Sequence, residues 1–171
     1  DTDKANEQHY LLPPAFFERV LGDHLKYSCC YFEGVEQSLS DAEHNMLKLT
    51  CERAGIEDGM QVLDLGCGWG SLGLFIAVHY PNCRIHCVSN SSRQRLYIMQ
   101  QCRELNIRNV VVTTADINAF EPEKTYDRIV SVEMFEHIRN HRGILDRISG
   151  WLRPEGKLFV HIFCHRQFAY A

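Results

Sequence analysis

Short apolar runs rich in β-branched residues alternate with longer stretches whose apolar positions return every three or four residues. The runs "QVLDL", "RIHCVS", "NVVVTT", "DRIVSV" and "GKLFVHIF" read as strands. The stretches between them carry helix start and stop signals. Ser40 with Glu43 forms a capping-box pattern ahead of "AEHNMLKLTCERA", which Gly55 ends. Ser91 with Gln94 repeats the pattern ahead of "RQRLYIMQQCREL", and Asn140 is placed to cap "HRGILDRISGWL" ahead of Pro154. Strands alternating with helices predict an α/β fold with a mainly parallel sheet and helices on both faces. Upstream, "HYLLPPAFFERVLGDHLKYSCCYF" is aromatic-rich and has no strand rhythm; Pro14 opens a short helix there and Gly22 closes it. Residues 1–39 are expected to cover the mouth of the sheet, or to pack outside it, and residues 40–171 to form the core.

Composition narrows the function. The chain has 171 residues, 45% hydrophobic and 23% charged, which suits one globular domain. No apolar run is long enough for a membrane span, and "DTDKANEQHY" is too polar for a signal peptide, so a cytoplasmic or organelle-matrix location is expected. The net charge of -4 argues against nucleic acid and for a small neutral or cationic partner. Arg139, Arg142, Arg147 and Arg153 read as a solvated helix face. The 8 cysteines include no C-x-x-C pair, and Cys87 lies in an apolar run; with Cys29 and Cys30 adjacent, reduced thiols are expected.

The strongest local signal is "VLDLGCGWGSLGLF", Val62 to Phe75, in which Gly66, Gly68 and Gly70 follow an apolar strand. Glycine permits a sharp turn and a close approach of ligand to backbone. The spacing is neither that of the dinucleotide fingerprint nor that of a P-loop. With Asp64 before it, "LDLGCGWG" resembles the first motif of class I S-adenosylmethionine-dependent methyltransferases, which implies their Rossmann-like fold. The resemblance implies that Gly66 and Gly68 lie along the cofactor's amino-acid part, with Asp64 orienting the loop or the amino group. It also sends Asp116 and Ile117 of "TTADINAF" to the adenine, although Asp116 also suits an Asx-type turn. The second strand lacks the usual ribose-binding acid. Its "VSNSSRQ" is similar instead to the V-[ST]-x-S-x-x-Q of the cyclopropane fatty acid synthase-like branch. There Ser89 and Gln94 would take ribose and loop contacts, unless Ser91 and Gln94 serve only as a helix cap. The N-terminal segment resembles the opening of the same branch, in which Tyr27 and Ser28 would reach the methionine carboxylate. The likeness runs from about Asn6 to Ala171 and is strongest to coclaurine N-methyltransferase-like members.

After "DRIVSV" come Glu133, Glu136 and His137, beyond the carboxyl end of a strand, where open α/β sheets bind ligands. Methyl transfer to an amine needs a free lone pair, so a carboxylate with an imidazole can hold the ammonium and take its proton. Glu133 and His137 stand four apart and would share a helical face, whereas Glu136 points elsewhere; the resemblance adds Glu136 as a supporting neighbour. The resemblance implies the same assignment, since coclaurine-type enzymes read S-[IV]-E-M-F-E-H. Cyclopropane synthases have glycine at the position of Glu133 and gather a glutamate, a histidine and a cysteine matching Cys29 around bicarbonate. The expected function is therefore S-adenosylmethionine-dependent N-methylation of a small-molecule amine. The alternatives are cyclopropane-synthase-like modification of membrane lipid, or a cofactor-binding module without catalysis. Metal binding by Glu133, His137 and His141 lacks H-E-x-x-H and further ligands, and His161 and Cys164 would face opposite sides of a strand; no metal is expected. Class I sheets are seven-stranded and five strands are legible here, so the expectation is a chain whose cofactor half is complete and whose acceptor half is not.

Overall fold

The computed structural model describes residues 12–167. The start "DTDKANEQHY", the first residues of the family-like N-terminal segment and residues 168–171 lie outside them. In chain order the elements are α1 (Pro14–Val20), α2 (Leu39–Ala54), β1 (Gln61–Leu65), α3 (Ser71–His79), β2 (Arg84–Ser89) and α4 (Ser92–Glu104). There follow β3 (Val110–Thr114), β4 (Tyr126–Val132), a single 3-10 turn (Phe135–His137), α5 (His141–Trp151) and β5 (Leu152–His161). The strands form one sheet in the order β3-β2-β1-β4-β5, with every pairing parallel. Strand order reverses between β1 and β4, so the loops at their carboxyl ends open a crevice.

Strand alternation explains both layers. Val62, Ile85, Cys87 and Val130 pack on one face with Leu47 and Cys51 of α2, Phe75 and Ile76 of α3 and Ile98 of α4. Leu63, Leu65, Val88 and Ile129 pack on the other face with Ile144, Ile148 and Trp151 of α5. Polar residues inside the strands have structural work. Arg128 is buried in β4, and its Nε donates to the Ala54 and Gly55 carbonyls at 2.8 and 3.1 Å, satisfying the end of α2. No helix among the described residues is long and apolar enough to cross a membrane, and all eight cysteines are free thiols.

Three local expectations need correction. The cap of α2 is Ser38 with Asp41, a reciprocal capping box, while Ser40 and Glu43 turn away from it. Ser40 Oγ accepts the Asp23 N–H at 3.1 Å. Glu43, fully buried, accepts the N–H groups of Gly22, His24 and Lys26 at 2.9, 2.8 and 3.1 Å. The supposed cap therefore anchors the N-terminal segment. Gly22 is small for the same reason: α1 has already ended at Val20, and a Cβ on Gly22 would come within 2.7 Å of Glu43 Oε2. Secondly, β5 begins at Leu152 rather than at Gly156, because a register shift opposite Tyr126 and Arg128 lets "LRPE" pair as an irregular lead-in. Thirdly, Arg147 is not merely solvated. It donates to the carbonyls of Ile117 and Phe120, pairs with Glu121 at 3.1 Å and lies over Trp151. It thus clamps the β3–β4 connection to α5.

Candidate functional site

The glycine turn joins β1 to α3 with Gly66, Gly68 and Gly70 all at left-handed φ, +83°, +54° and +84°. Only glycine adopts such a series without strain. The N–H groups of Gly66 and Cys67 donate to the Val88 carbonyl at 3.0 and 2.9 Å. They tie the turn to β2 and are spent, so they form no phosphate cradle. A Cβ on Gly68 would meet nothing within 4 Å, whereas one on Gly66 would collide with Met134. The turn is thus packed on one side and open on the other, and the open side is a cavity walled by Leu25 to Ser28, Asp64, the turn itself, Gln94 and Glu133.

Tests of fit to an adenosyl amino-acid ligand come from the wall. Trp69 Nε1 and Gln94 Nε2 are buried donors, and Asp64 Oδ2 a buried acceptor, with no protein partner. Such groups are costly unless something binds them. A zwitterionic ligand offers acceptors to the donors and an ammonium to the carboxylate, so the residues fit the cofactor that the glycine motif implies. Burial pushes the Asp64 carboxyl up to about 7, with the Gly73 N–H pulling the other way. The native state therefore holds this proton more tightly than the unfolded chain does. Stability from this residue is fully present below the unfolded value and is lost as pH rises through about 7. Ligand-free wild type is expected to lose roughly 3 kcal/mol more than Asp64→Asn between about pH 5 and about pH 8. Urea denaturation at both pH values checks this, and parallel losses in the two proteins would refute it.

Ser89, at the end of β2, donates its hydroxyl to Gln94 Oε1 at 2.5 Å and accepts the Ser91 N–H at 3.0 Å. Ser91 Oγ in turn accepts the Gln94 N–H at 3.4 Å, capping α4. The cap and the ligand wall are one network here, since Gln94 belongs to both and its amide nitrogen remains available. Asp116 is exposed, lies outside the cavity wall, and accepts both the backbone and side-chain N–H of Asn118 at 2.9 Å. This is an Asx turn. Ile117 packs against the α5-side core.

The carboxyl end of β4 departs most from expectation. No α-helix starts at Glu133. The residue sits at φ +50°, its N–H donates to the His161 carbonyl at 2.8 Å, and only the 3-10 turn follows. The i, i+4 face expected for Glu133 and His137 does not form, and His137 is exposed. The structure gathers different partners around Glu133. Its Oε1 accepts the Cys29 N–H at 2.9 Å, and Cys29 Sγ stands 3.5 Å from His161 Nε2. The ligand-type atoms of Cys29, Glu133 and His161 lie within 4.8 Å of one another. Burial pushes the Cys29 thiol pKa up, Lys26 opposes this, and Glu133 pushes it further up. Glu136 accepts the Phe163 N–H at 2.7 Å and keeps Oε2 buried without a partner. His141 is engaged elsewhere, with Nε2 3.0 Å from the Phe135 carbonyl oxygen. The sequence pattern left Lys26 unmarked and set His161 aside as a strand-end histidine. His161 is distant in sequence and adjacent only through the β4–β5 register, where Val132 pairs with His161. Lys26 carried no motif.

The family model for mycolic acid cyclopropane synthetase matches residues 1–169. (S)-Coclaurine N-methyltransferase from Thalictrum flavum subsp. glaucum is 44% identical over 170 residues, which is 99% of this chain and 47% of the relative. A crystal structure of coclaurine N-methyltransferase bound to N-methylheliamine and SAH matches with a TM-score of 0.94 at 47% identity, over 96% of this chain and 48% of that one. The cyclopropane synthase MmaA2 from Mycobacterium tuberculosis matches with a TM-score of 0.81 at 30% identity, over 90% and 54%. The chain spans about half the length of these relatives. Its parallel sheet with helices on both faces is the Rossmann-like class I methyltransferase fold.

Proposed function

The chain belongs to the mycolic acid cyclopropane synthetase family, and from that membership we propose that it is an S-adenosylmethionine-dependent N-methyltransferase acting on a small-molecule amine. The observation that carries the reading is Glu133. A carboxylate stands on the cavity wall beside the glycine turn, on a backbone conformation that favours glycine, and is held there by the Cys29 N–H. The N-methyltransferase relatives support the choice of an amine.

When bound, S-adenosylmethionine supplies a sulfonium methyl group for in-line displacement. Gly68 would leave room for its amino-acid part, Gly66 giving its own space to Met134; Asp64 would hold the ammonium, and Tyr27 and Ser28 line the same cavity. Ser89 fixes Gln94 so that its amide donor is presented, and Asp116 with Ile117 forms the turn assigned to the adenine side. Glu133 attracts the acceptor's ammonium, takes one proton at a carboxylate oxygen and orients the freed lone pair. His137 and Glu136 follow on the same turn as the supporting imidazole and carboxylate, and His161 is a second imidazole within reach of the Glu133 site.

Modification of a lipid remains the second reading, favoured by the Cys29–Glu133–His161 grouping and by the likeness to a cyclopropane synthase. The test supplies methyl-labelled S-adenosylmethionine with a panel of secondary and tertiary amines and with unsaturated phospholipid vesicles. The expected result is label in an amine. Label in lipid moves the assignment to the second reading, and cofactor binding with label in neither leaves a binding module.

A further inference from the structure

Lys26 lies in the cavity wall with a relative exposure of 2%. Its Nζ donates to Ser28 Oγ at 2.5 Å and to the Cys29 carbonyl at 2.7 Å, both neutral acceptors. Ion pairs among the described residues are Arg147–Glu121 and Arg153–Asp127, and Lys26 is in neither. Two carboxylates lie close enough to favour its charge, but both are committed. Glu43 receives three backbone N–H groups, including that of Lys26 itself, and Glu133 receives Cys29. An ammonium this buried is costly without an anion beside it. The hydrogen bond to Ser28 adds direction: a hydroxyl that accepts from an ammonium has its own proton left to donate. Trp69, whose ring clusters with Leu25, contributes the unpartnered Nε1–H to the same wall.

We propose that Lys26 is a specificity-determining residue, which makes the cavity select adenosyl ligands bearing a free carboxylate and reject those from which the carboxylate has been removed. The ligand carboxylate completes an ion pair that the protein leaves open, receiving Lys26 Nζ and the Ser28 hydroxyl together. The inference rests on the cofactor reading above and deepens it. Sequence motifs assign this end to Tyr27 and Ser28, neither of which carries charge, whereas discrimination between a zwitterion and a cation requires the neighbouring ammonium.

The test is calorimetric and needs no turnover. Three probes are titrated into the protein: S-adenosylhomocysteine, its decarboxylated analogue, and 5′-methylthioadenosine, which lacks the whole amino-acid part. Wild type is expected to prefer S-adenosylhomocysteine to the decarboxylated analogue by about 100-fold or more, as for removal of one partner of a buried pair. In Lys26→Met that preference falls to a few-fold, affinity for 5′-methylthioadenosine stays, and the ligand-free melting temperature rises because an unpaired buried charge is gone. Lys26→Arg retains most of the preference. Equal affinity of wild type for the first two probes overturns the proposal without any variant, as does an unchanged preference in Lys26→Met. Binding of none of the three to wild type removes the cofactor reading, and the proposal with it.

Discussion

Glu43→Ala is expected to destabilise the protein by about 3 kcal/mol or more and to weaken S-adenosylhomocysteine binding in the same variant, although Glu43 is outside the cavity wall. The buried carboxylate accepts from the half-buried Gly22 and His24 and from the buried Lys26, and a buried donor left without a partner costs about 1–3 kcal/mol, to which the two half-buried ones add. The chain limits that loss by lifting the segment into water, which withdraws Leu25, Lys26, Tyr27 and Ser28 from the cavity wall. Stability and ligand affinity therefore fall together. Hydrogen exchange reads the local event: the amides of Gly22, His24 and Lys26 should exchange at least tenfold faster, while those of β1 and β4 change only with global stability. Unchanged protection at these three amides would sink the account. Glu43→Gln, which keeps one accepting oxygen and the packing volume, should fall between wild type and alanine.

The same residue marks the boundary of what the sequence discloses. Ser40-x-x-Glu43 and Ser38-x-x-Asp41 are equally good local capping patterns, and local chemistry does not choose between them. The choice is made by a segment some twenty residues upstream that needs acceptors for its turning backbone. The central strands β1, β2 and β4 were legible because each is an apolar run buried on both faces, the half-exposed edge strands β3 and β5 because they are rich in β-branched and aromatic residues, and the glycine turn because left-handed φ at three alternating positions restricts the residue type. At Ser91 and Asn140 the expected caps form, since nothing competes for those side chains. Around Glu133 the sequence named the carboxylate, but the helical face that spacing predicts for it with His137 does not form. The positive φ ends helical periodicity there, and sheet register brings His161 alongside. Lys26 was silent because a single buried lysine is recognisable only by its burial and the absence of an ion-pair partner.

The geometry at Glu133 separates stability from function, and two substitutions at that one position should do the same. Its φ of +50° lies in the left-handed region, which costs a non-glycine residue of this kind about 1–2 kcal/mol. The His161 carbonyl and the Cys29 N–H hold it there. Glu133→Gly relieves the strain and should raise stability by about 1 kcal/mol, offset in part by the added freedom of the unfolded chain. Glu133→Gln keeps the strain and one accepting oxygen, so its stability should stay within about 0.5 kcal/mol of wild type. Both lose the base. On the proposed reaction, kcat for the amine falls by a factor on the order of 100 to 10,000 in each. A glutamine enzyme that methylates amine at the wild-type rate would remove Glu133 from the chemistry. A glycine variant that transfers the methyl label to unsaturated phospholipid would show that this position, which carries glycine in the resembling synthases, decides between the two acceptors. The imidazoles are resolved by the pH dependence of kcat in His137→Ala and His161→Ala. Loss of the rising limb in only one of them names the side chain that exchanges a proton with Glu133. Loss in neither would leave the carboxylate as the sole base and make both histidines positioning residues.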